Sequence, residues 1–516
     1  MTDRTILALG VGSSLSWSAS RGPISSHPSR HRRAALAGLA AILSLAAFPA
    51  TARDFPPEVP PPHPIVLPSA QVRELPNGLK VAVIERRSLP LLTLRLVVKA
   101  GAGADPPLLP GTAQFTADLL SEGTSQRSAR QIAETVDAIG GNLETRAEWD
   151  DSFVELTVLS DHTVLAFNLL ADVVRHPTFP GEEIERKRQQ TLSALEILRD
   201  DPAFTADTLF QRLVFSGTPY GHTLDGSEGS VRRIARSDVE AFHARHYQPA
   251  NCILAAVGDI TAEQAVAHAA TYFGDWEGTP APAPRTSPLP APPSQRTIIV
   301  VDKPDAVQTE IRVGNLAIPR ASDDYLALTV ANQVLGGPAA NRLFRTLRSR
   351  LGIAYGASSD LLCERTAGSW VAKTSTRTEE TVRSLRAVIG EMEDLRGRRI
   401  NAAELRTAQS YLTGHMALEF ETSADVAEQT LELMVHNLPL DYWSRFQDRL
   451  SQLDADEVHA ASRRYLDPEH CVIVLVGDAR RFEGQLRKFG AYRIIRSQDL
   501  DLAAPDLVRP ATEPSH

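Results

Sequence analysis

The sequence contains very little cysteine. Only three of its 516 residues are cysteines, Cys252, Cys363 and Cys471. An odd number leaves at least one thiol unpaired even in an oxidising compartment. Cys252 and Cys471 both lie inside apolar, strand-like runs, which favours buried thiols that pack as small apolar side chains over a disulfide.

The chain also lacks an excess of positive charge. Its 54 Lys and Arg residues are outnumbered by 63 Asp and Glu residues, and the formal net charge is −9. Such a chain has no general electrostatic reason to bind nucleic acid or anionic lipid. A hydrophobic content of 43% with 23% charged residues is typical of a globular protein.

Long apolar runs are absent beyond the N-terminal region. The run over residues 34–48 has fifteen residues, fewer than the ~20 that a transmembrane helix needs. It follows a basic tripeptide that ends at Arg33 and precedes an A-x-A sequence that ends at Ala52, as in a secretory signal peptide. We predict a signal peptide with an N-terminal extension over residues 1–52, cleaved after Ala52, and a periplasmic protein. An uncleaved membrane anchor is the alternative.

A proline-rich segment divides the chain. Residues 279–294 contain seven prolines, which cannot fill a helix or a central strand and indicate a semi-rigid spacer. A chain of this length is also too long for one ordinary core. The predicted organisation is a proline-rich arm (53–68), a first domain (69–278), the linker (279–294), a second domain (295–498) and a tail (499–516).

The two domains repeat one another. Cys252 begins an apolar run that ends in Gly-Asp at Asp259, and Cys471 begins the same pattern, which ends at Asp478. Both pairs of positions differ by 219 residues (471 − 252 and 478 − 259). A shared cysteine, apolar run and Gly-Asp at one offset indicate an internal duplication.

Within each domain the pattern predicts an α+β fold. Runs rich in β-branched residues alternate with amphipathic helical stretches, which is typical of helices on one face of a mainly antiparallel sheet. We predict strands over 78–85, 91–98 and 142–159, and helices over 112–121, 128–139 and 181–199.

Residues 111–124 carry the most informative motif, GTAQFTADLLSEGT. This stretch resembles the active-site helix of the M16 (pitrilysin/insulinase-like) zinc peptidases, which reads roughly G-L-A-H-F-L-E-H-M-L-F-K-G-T. The frame agrees at Gly111, Ala113, Phe115, Leu120, Gly123 and Thr124. The three chemical positions of the H-x-x-E-H motif differ, because they hold Gln114, Ala117 and Asp118.

The resemblance implies a zinc site that has been lost. Two imidazoles at positions 114 and 118 would share one helix face, and the glutamate between them would act as general base. In this chain Gln114 offers a neutral amide, Ala117 cannot accept a proton, and Asp118 alone is a weak ligand. The third ligand of the family maps onto Ser193 or Ala194. We therefore predict no metal and no cofactor in this chain, with zinc expected on a partner subunit.

A second block, over residues 335–355, resembles the family sequence L-G-G-x-x-x-S-R-L-F-x-x-L-R-x-x-x-G-L-A-Y. In the family, its Arg and Tyr reach the zinc site and stabilise the oxyanion that forms during peptide hydrolysis. Arg348 and Tyr355 hold those positions here, and Leu351 is a departure because a basic residue is usual there. The alternative is structural: Arg348 as one cation of a basic helix and Tyr355 as a packing residue.

A third block resembles the edge strand that pairs with extended substrate in active relatives. It comprises Gly141, Asn142, Leu143 and Glu144. Edge-strand pairing uses backbone groups and tolerates many side chains. We predict peptide binding here, with a plain β-hairpin as the alternative.

Some bacterial members of the family work as pairs in which one subunit carries zinc and the other carries the Arg/Tyr pair. The leading hypothesis is therefore the non-catalytic subunit of a periplasmic M16 metallopeptidase that acts with a zinc-bearing sister on peptide substrates. A stand-alone peptide-binding or chaperone-like protein and a structural M16-like protein are the alternatives. An independent hydrolase has no support, because neither a G-x-S-x-G motif nor a nucleophile–base set is present.

Overall fold

The fold consists of two six-stranded β-sheets, each with its own set of helices. The computed structural model describes residues 69–279, 288–338 and 341–509. The predicted signal peptide and proline-rich arm, residues 280–287 of the linker and residues 510–516 of the tail lie outside the described residues.

The strands of the first domain form the first sheet. They are β1 (Gln71–Glu74), β2 (Lys80–Glu85), β3 (Leu91–Val98), β4 (Asn142–Ala147), β5 (Ser152–Leu159) and β6 (Cys252–Gly258). Their order across the sheet is β1-β2-β6-β3-β5-β4, and only β2 and β6 run parallel. The strand β4 is therefore an edge strand.

The second sheet repeats this plan. Its strands are β7 (Thr297–Asp302), β8 (Gln308–Ala317), β9 (Ala354–Cys363), β10 (Gly368–Arg377), β11 (Val472–Gly477) and β12 (Tyr492–Arg496). Their order is β12-β7-β11-β8-β10-β9. Without β1 and β12 the two sheets have the same order, so that β9 is the counterpart of the edge strand β4.

The helices of the first domain lie between β3 and β4, between β5 and β6, and after β6. They are α1 (Thr112–Leu119), α2 (Ala129–Ala138), α3 (Thr163–Arg175), α4 (Gly181–Arg199), α5 (Pro202–Val214), α6 (Glu228–Arg233), α7 (Arg236–His246) and α8 (Ala262–Phe273). The predicted helices over 112–121, 128–139 and 181–199 correspond to α1, α2 and α4. The strand predicted over 142–159 is wrong in one respect, because a turn at 148–151 divides it into β4 and β5.

The second domain has its own helices. They are α9 (Tyr325–Leu335), α10 (Arg342–Phe344), which continues as a π-helical segment (Arg345–Arg350), α11 (Thr381–Gly397), α12 (Ala402–Met416), α13 (Ser423–Val435), α14 (Tyr442–Gln452), α15 (Ala455–Tyr465) and α16 (Glu483–Leu486). Local sequence starts several of them. At α2, for example, the Ser128 hydroxyl accepts a hydrogen bond from Gln131 N, and the Gln131 side-chain oxygen accepts one from Ser128 N. This arrangement is a capping box.

One face of each sheet packs against helices of the same domain. Leu94 of β3 belongs to the same buried cluster as Val173 of α3, and Val313 of β8 to the same cluster as Leu385 of α11. Each cluster removes a continuous apolar surface from water, which is the main source of stability in such a layer. The predicted α+β fold is confirmed.

The opposite face of each sheet is covered by a helix from the other domain. Leu209 of α5 packs with Val371 of the second sheet, and Leu431 of α13 packs with Val97 of the first sheet. The two domains therefore exchange one helix each.

Matching ion pairs accompany this exchange. Arg95 on β3 pairs with Glu155 at 2.9 Å and with Glu428 of α13 at 3.3 Å. Arg312, at the equivalent position on β8, pairs with Asp207 of α5 at 2.7 Å. Both arginines are buried, so that losing their carboxylate partners would leave a buried charge uncompensated.

The three cysteines are free thiols. Cys252 and Cys471 are buried and Cys363 is half-buried, so the expectation of buried thiols on β6 and beside β11 is confirmed. Among the described residues, no helix combines the length and the apolar character that a bilayer span requires.

Candidate functional site

The helix α1 carries the positions of the lost metal motif. Its N-terminus is fixed by the Asp105 carboxylate, which accepts hydrogen bonds from Gly111 N at 2.6 Å and Ala113 N at 2.7 Å. Gly111 has a φ of 92°, and a Cβ there would lie 2.7 Å from Asp225 O. The glycine is therefore required both by its backbone conformation and by its close contact.

A hydrogen-bonded network occupies the place of the metal ligands. Gln114 Nε2 donates to Asp118 Oδ1 at 2.8 Å, and Lys187 Nζ of α4 lies 2.7 Å from Asp118 Oδ2. The N–H of Ala147, at the end of β4, donates to Gln114 Oε1 at 2.9 Å. Sequence reasoning missed Lys187, because no local pattern indicates that this single lysine of α4 faces α1.

These residues do not fit a zinc ion. Burial raises the pKa of the Asp118 carboxyl, and the Lys187 ammonium offsets this only in part. A cation already lies against the one carboxylate that could bind the metal. Ala117 is fully buried, and Ser193 and Ala194 are exposed on α4. Within the described residues, no three His, Cys, Asp or Glu side chains are grouped to hold a metal.

The four residues predicted to bind peptide lie at the edge of the first sheet. Gly141 precedes β4, and Asn142, Leu143 and Glu144 are its first three residues. On the β5 side, Glu144 lies opposite Glu155. Their role in peptide binding stays a prediction.

Arg348 and Tyr355 contact each other at the surface of the second domain. Arg348 Nη1 donates to the Tyr355 carbonyl oxygen at 2.6 Å, and its guanidinium carbon lies 4.4 Å from the centre of the Tyr355 ring. Tyr355 is 84% exposed. An exposed tyrosine stacked under a guanidinium presents its hydroxyl and several guanidinium N–H groups to solvent or to a partner.

The neighbouring arginines are different. Arg342 pairs with Glu404 and Asp394, Arg345 pairs with Glu404, and Arg350 lies 3.8 Å from Glu391. Among the described residues, Arg348 is the member of this group without a carboxylate partner. It therefore differs from the structural cations of the same segment.

A cavity of about 910 Å³ adjoins this pair. Its lining includes Ser349 and Gly356, the chain neighbours of Arg348 and Tyr355, together with Asp360 and Lys373 of the second sheet. None of the hydrogen bonds or ion pairs found in the described residues connects Arg348 or Tyr355 to α1 or to β4. The structure thus forms two separate candidate sites.

A buried acidic cluster lies where the β4–β5 turn meets the β9–β10 turn. Tyr220 OH donates to Asp150 Oδ1 at 2.9 Å, and Arg365 N donates to Asp150 Oδ2 at 2.6 Å. Burial and the hydrogen-bonded Asp150 carboxyl raise the pKa of Glu364 well above its ordinary value. Burial also raises the pKa of Asp151 to about 7. Sequence reasoning missed this cluster, because in sequence its members are ordinary turn residues.

Comparisons with known proteins identify the family. A family model described as insulinase (peptidase family M16) matches residues 80–226, and one described as peptidase M16 inactive domain matches residues 233–412. The crystal structure of a peptidase M16 inactive domain from Pseudomonas fluorescens is 30% identical, covers 79% of this chain and 98% of its own, and superposes with a TM-score of 0.75. The chain belongs to the M16 peptidase family.

Two further similar proteins extend the comparison. A protein named an uncharacterized zinc protease from Mycobacterium bovis is 28% identical over 421 residues, which is 80% of this chain and 95% of the relative. The periplasmic protease PqqL from Escherichia coli shares the fold, with a TM-score of 0.69 at 15% identity, over 80% of this chain and 46% of PqqL. The predicted M16 membership and fold are therefore confirmed.

Proposed function

We propose that this M16 chain is the non-catalytic subunit of a zinc metallopeptidase. In this proposal it supplies Arg348, Tyr355 and a peptide-binding edge to a partner subunit that carries the zinc. The observation that carries the proposal is the contrast between α1, where Lys187 and Gln114 already hold Asp118, and the exposed Arg348–Tyr355 pair.

The chemistry of the pair suits this role. Peptide hydrolysis builds negative charge on the carbonyl oxygen, and a guanidinium with a phenol hydroxyl stabilises that charge. Tyr355 is exposed, so its hydroxyl is accessible to an active site on another chain. Neither peptide binding nor scaffolding alone requires such a pair.

A periplasmic location is part of the proposal. It rests on the predicted signal peptide over residues 1–52 and on the resemblance in fold to a protease that is itself named periplasmic.

The test is reconstitution with a zinc-motif M16 homologue from the same genome. Peptidase activity should require both chains. Arg348→Ala should lower the kcat of the complex about 10²–10³-fold, as expected for the loss of an oxyanion-stabilising donor. Tyr355→Phe should lower it less, because only one hydroxyl is removed.

Arg350→Ala is the matched control. It removes an exposed arginine from the same π-helical segment, and the complex should keep its activity. Full activity of the homologue alone, unchanged by this chain, would contradict the proposal.

A stand-alone peptide-binding protein is the second candidate. The free edge of β4 favours it, because an edge strand presents backbone groups for an added strand. In that case peptide binding would be the activity, and Arg348→Ala would not change it.

A further inference from the structure

The strand β9 contains a β-bulge at Tyr355. Thr374 of β10 lies opposite Ala357, whereas Thr376 lies opposite Ala354. Between these two pairs, two residues of β9 therefore face one residue of β10. A bulge of this kind adds one residue to a strand and changes the direction in which the side chains beyond it point.

The bulge turns the Tyr355 side chain to the surface. Ala357 and Ala354 both pack against the core of the second domain, although residues three positions apart in a regular strand face opposite sides. Without the extra residue, Tyr355 would lie on the same side as Ala357, towards the core, because side chains alternate with a period of two. With the extra residue, Tyr355 is exposed.

Three side chains hold the carbonyl groups of the bulged segment. The Thr374 hydroxyl donates to Gly356 O at 2.8 Å, and the Thr376 hydroxyl donates to Ile353 O at 2.6 Å. Arg348 donates to the carbonyl oxygen of the exposed tyrosine itself. Both threonines are buried, where a polar group that loses its hydrogen bond is costly.

The strand is fixed on both sides of the bulge. Ser359 N donates to Gly336 O at 2.9 Å, which closes the outer edge of β9 against the end of α9. A Cβ on Gly336 would lie 2.2 Å from Ser359 N, so a side chain at this position would prevent the contact. On the other side, Ile353 N donates to Leu347 O at 3.0 Å. These bonds confine the bulge to the residues between them.

Arg348 also lies on an irregular backbone. It belongs to the π-helical segment that continues α10, in which Leu351 N donates to Thr346 O at 3.0 Å, the i→i−5 bond of a π-helix. The Thr346 hydroxyl donates to Glu391 of α11 at 2.5 Å and attaches the segment to that helix. Both members of the pair are therefore presented by backbone that departs from regular structure, as is frequent at functional sites.

The counterpart strand in the first domain is regular. In the turns that follow the two strands, Glu148 and Glu364 each make the same backbone bond to the third residue after them, so Asn142 at the start of β4 corresponds to Ser358. From Asn142 onward, β4 pairs with β5 in an unbroken register, and the bulged end of β9 lies before this point. The bulge is therefore an addition to the plan that the two domains share.

We propose that Thr374 is a positioning residue for the Arg348–Tyr355 pair. Its hydroxyl holds the Gly356 carbonyl and thereby the bulge, the bulge directs the Tyr355 side chain outward, and the Tyr355 carbonyl in turn holds the guanidinium. The inference rests on the proposed function for its effect on catalysis. The positioning itself is measurable on this chain alone.

The first experiment observes the pair in the full chain by NMR of carbon-13-labelled arginine. The Tyr355 ring should shift the Arg348 signal upfield, because the guanidinium lies over the ring face, and Tyr355→Leu should abolish this shift. Thr374→Val removes the hydroxyl, keeps the branched shape and should remove most of the shift. Thr374→Ala is a second variant without the hydroxyl and should give the same loss, whereas Thr374→Ser should retain the shift.

The second experiment measures hydrolysis of a quenched fluorescent peptide by the reconstituted complex. Thr374→Val should lower kcat by up to about 10²-fold with KM unchanged, as expected when a group that acts in the transition state is misplaced. Thr374→Ser should restore kcat. In the Arg348→Ala background, Thr374→Val should have a much smaller effect, since both changes act on one unit.

Thr93→Val is the matched control. Thr93 is a buried threonine on β3 of the first sheet, and its hydroxyl bonds to the Thr157 hydroxyl at 2.9 Å. The substitution therefore makes the same chemical change in a buried strand and leaves the bulge intact. It should change neither the Arg348 signal nor kcat.

The proposal is overturned if Thr374→Val and Thr374→Ala keep the upfield shift of Arg348, or if Thr374→Ser loses it as completely as they do. It is also overturned if kcat depends on Arg348 but not on Thr374. If the activity of the complex does not depend on Arg348 at all, the proposed subunit role fails, whereas the arginine signal still decides whether Thr374 holds the pair.

Discussion

The two domains share one plan of strands but carry different chemistry. The first sheet keeps an open edge at β4 beside a helix whose metal positions are now Gln114, Ala117 and Asp118. The second sheet has its edge closed by Gly336 and presents Arg348 and Tyr355 instead. In this duplicated fold, many apolar residues set the layer architecture of both copies. The role of each copy depends on a few polar residues.

The largest predicted effect tests the symmetry of the exchanged helices. Leu209→Ala in α5 and Leu431→Ala in α13 each remove a fully buried side chain from the interface between one helix and the other domain's sheet. Each should lower the free energy of unfolding by about 2–5 kcal/mol, measured by urea denaturation. Both domains should still unfold in one transition, because each stabilises the other.

Leu418→Ala is the control for this pair, since Leu418 is 59% exposed. It should change the free energy of unfolding by no more than about 0.5 kcal/mol. A large effect of only one of the two buried substitutions would show that the exchange is not reciprocal.

A smaller effect on the free energy of unfolding is expected from removing the Lys187–Asp118 ion pair of the first domain. Lys187→Met removes the cation beside Asp118 and leaves a half-buried carboxylate without it, which should cost about 1–3 kcal/mol at pH 7. The cost should shrink towards pH 5, because Asp118, whose pKa is already raised, then takes up a proton. Lys80→Met, at an exposed lysine of β2, is the control. A loss that does not vary with pH would contradict the ion-pair account.

The junction between the domains should make stability depend on pH. Glu364 holds its proton more tightly in the folded state than in the unfolded one. Its contribution is therefore fully present below the ordinary glutamate pKa and is lost as pH rises through the raised folded pKa. Asp151, with a pKa of about 7, acts in the same direction.

Glu364→Gln should lessen this dependence, because an amide keeps a donor towards Asp150 and cannot ionise. The free energy of unfolding of the variant should match the wild type at pH 5 and exceed it at pH 8. Besides burial, the neighbouring carboxyls of Asp150, Asp151 and Glu148 raise the pKa of Glu364. Equal pH profiles for variant and wild type would rule out Glu364 as the responsible group.

The smallest effect on stability is expected from adding or removing metal ions. Zinc or EDTA should shift the Tm of the purified chain by less than about 1 °C, because a bound metal stabilises only a protein that has a site for it. Thermal unfolding with each addition, with elemental analysis of the same sample, is the measurement. Stoichiometric zinc would refute the account of α1.

Local pattern was sufficient for much of the fold. The helix over 181–199 and the strand over 91–98 agree with α4 and β3 at both ends, because each has an uninterrupted pattern and a clear boundary. The turn inside 142–159 was not predicted, because Trp149-Asp150 lacks the glycine or asparagine that marks a tight hairpin.

Contacts between the domains could not be predicted in this way. In sequence, α5 and α13 are ordinary amphipathic helices, and nothing local indicates that each packs on the sheet of the other domain. The Gln114–Asp118–Lys187 network could not be predicted for the same reason. A substituted motif shows which metal ligands are lost, whereas the contacts that the new side chains make depend on tertiary packing.

The exchanged helices also bear on how the molecule could be taken apart and put together again. Two separate polypeptides, one ending and one beginning within residues 280–287, would retain every contact described between α5, α13 and the sheets that they cover. We expect two such fragments to recognise each other through these interlocked surfaces, and tags fused at the break would report on their reassembly.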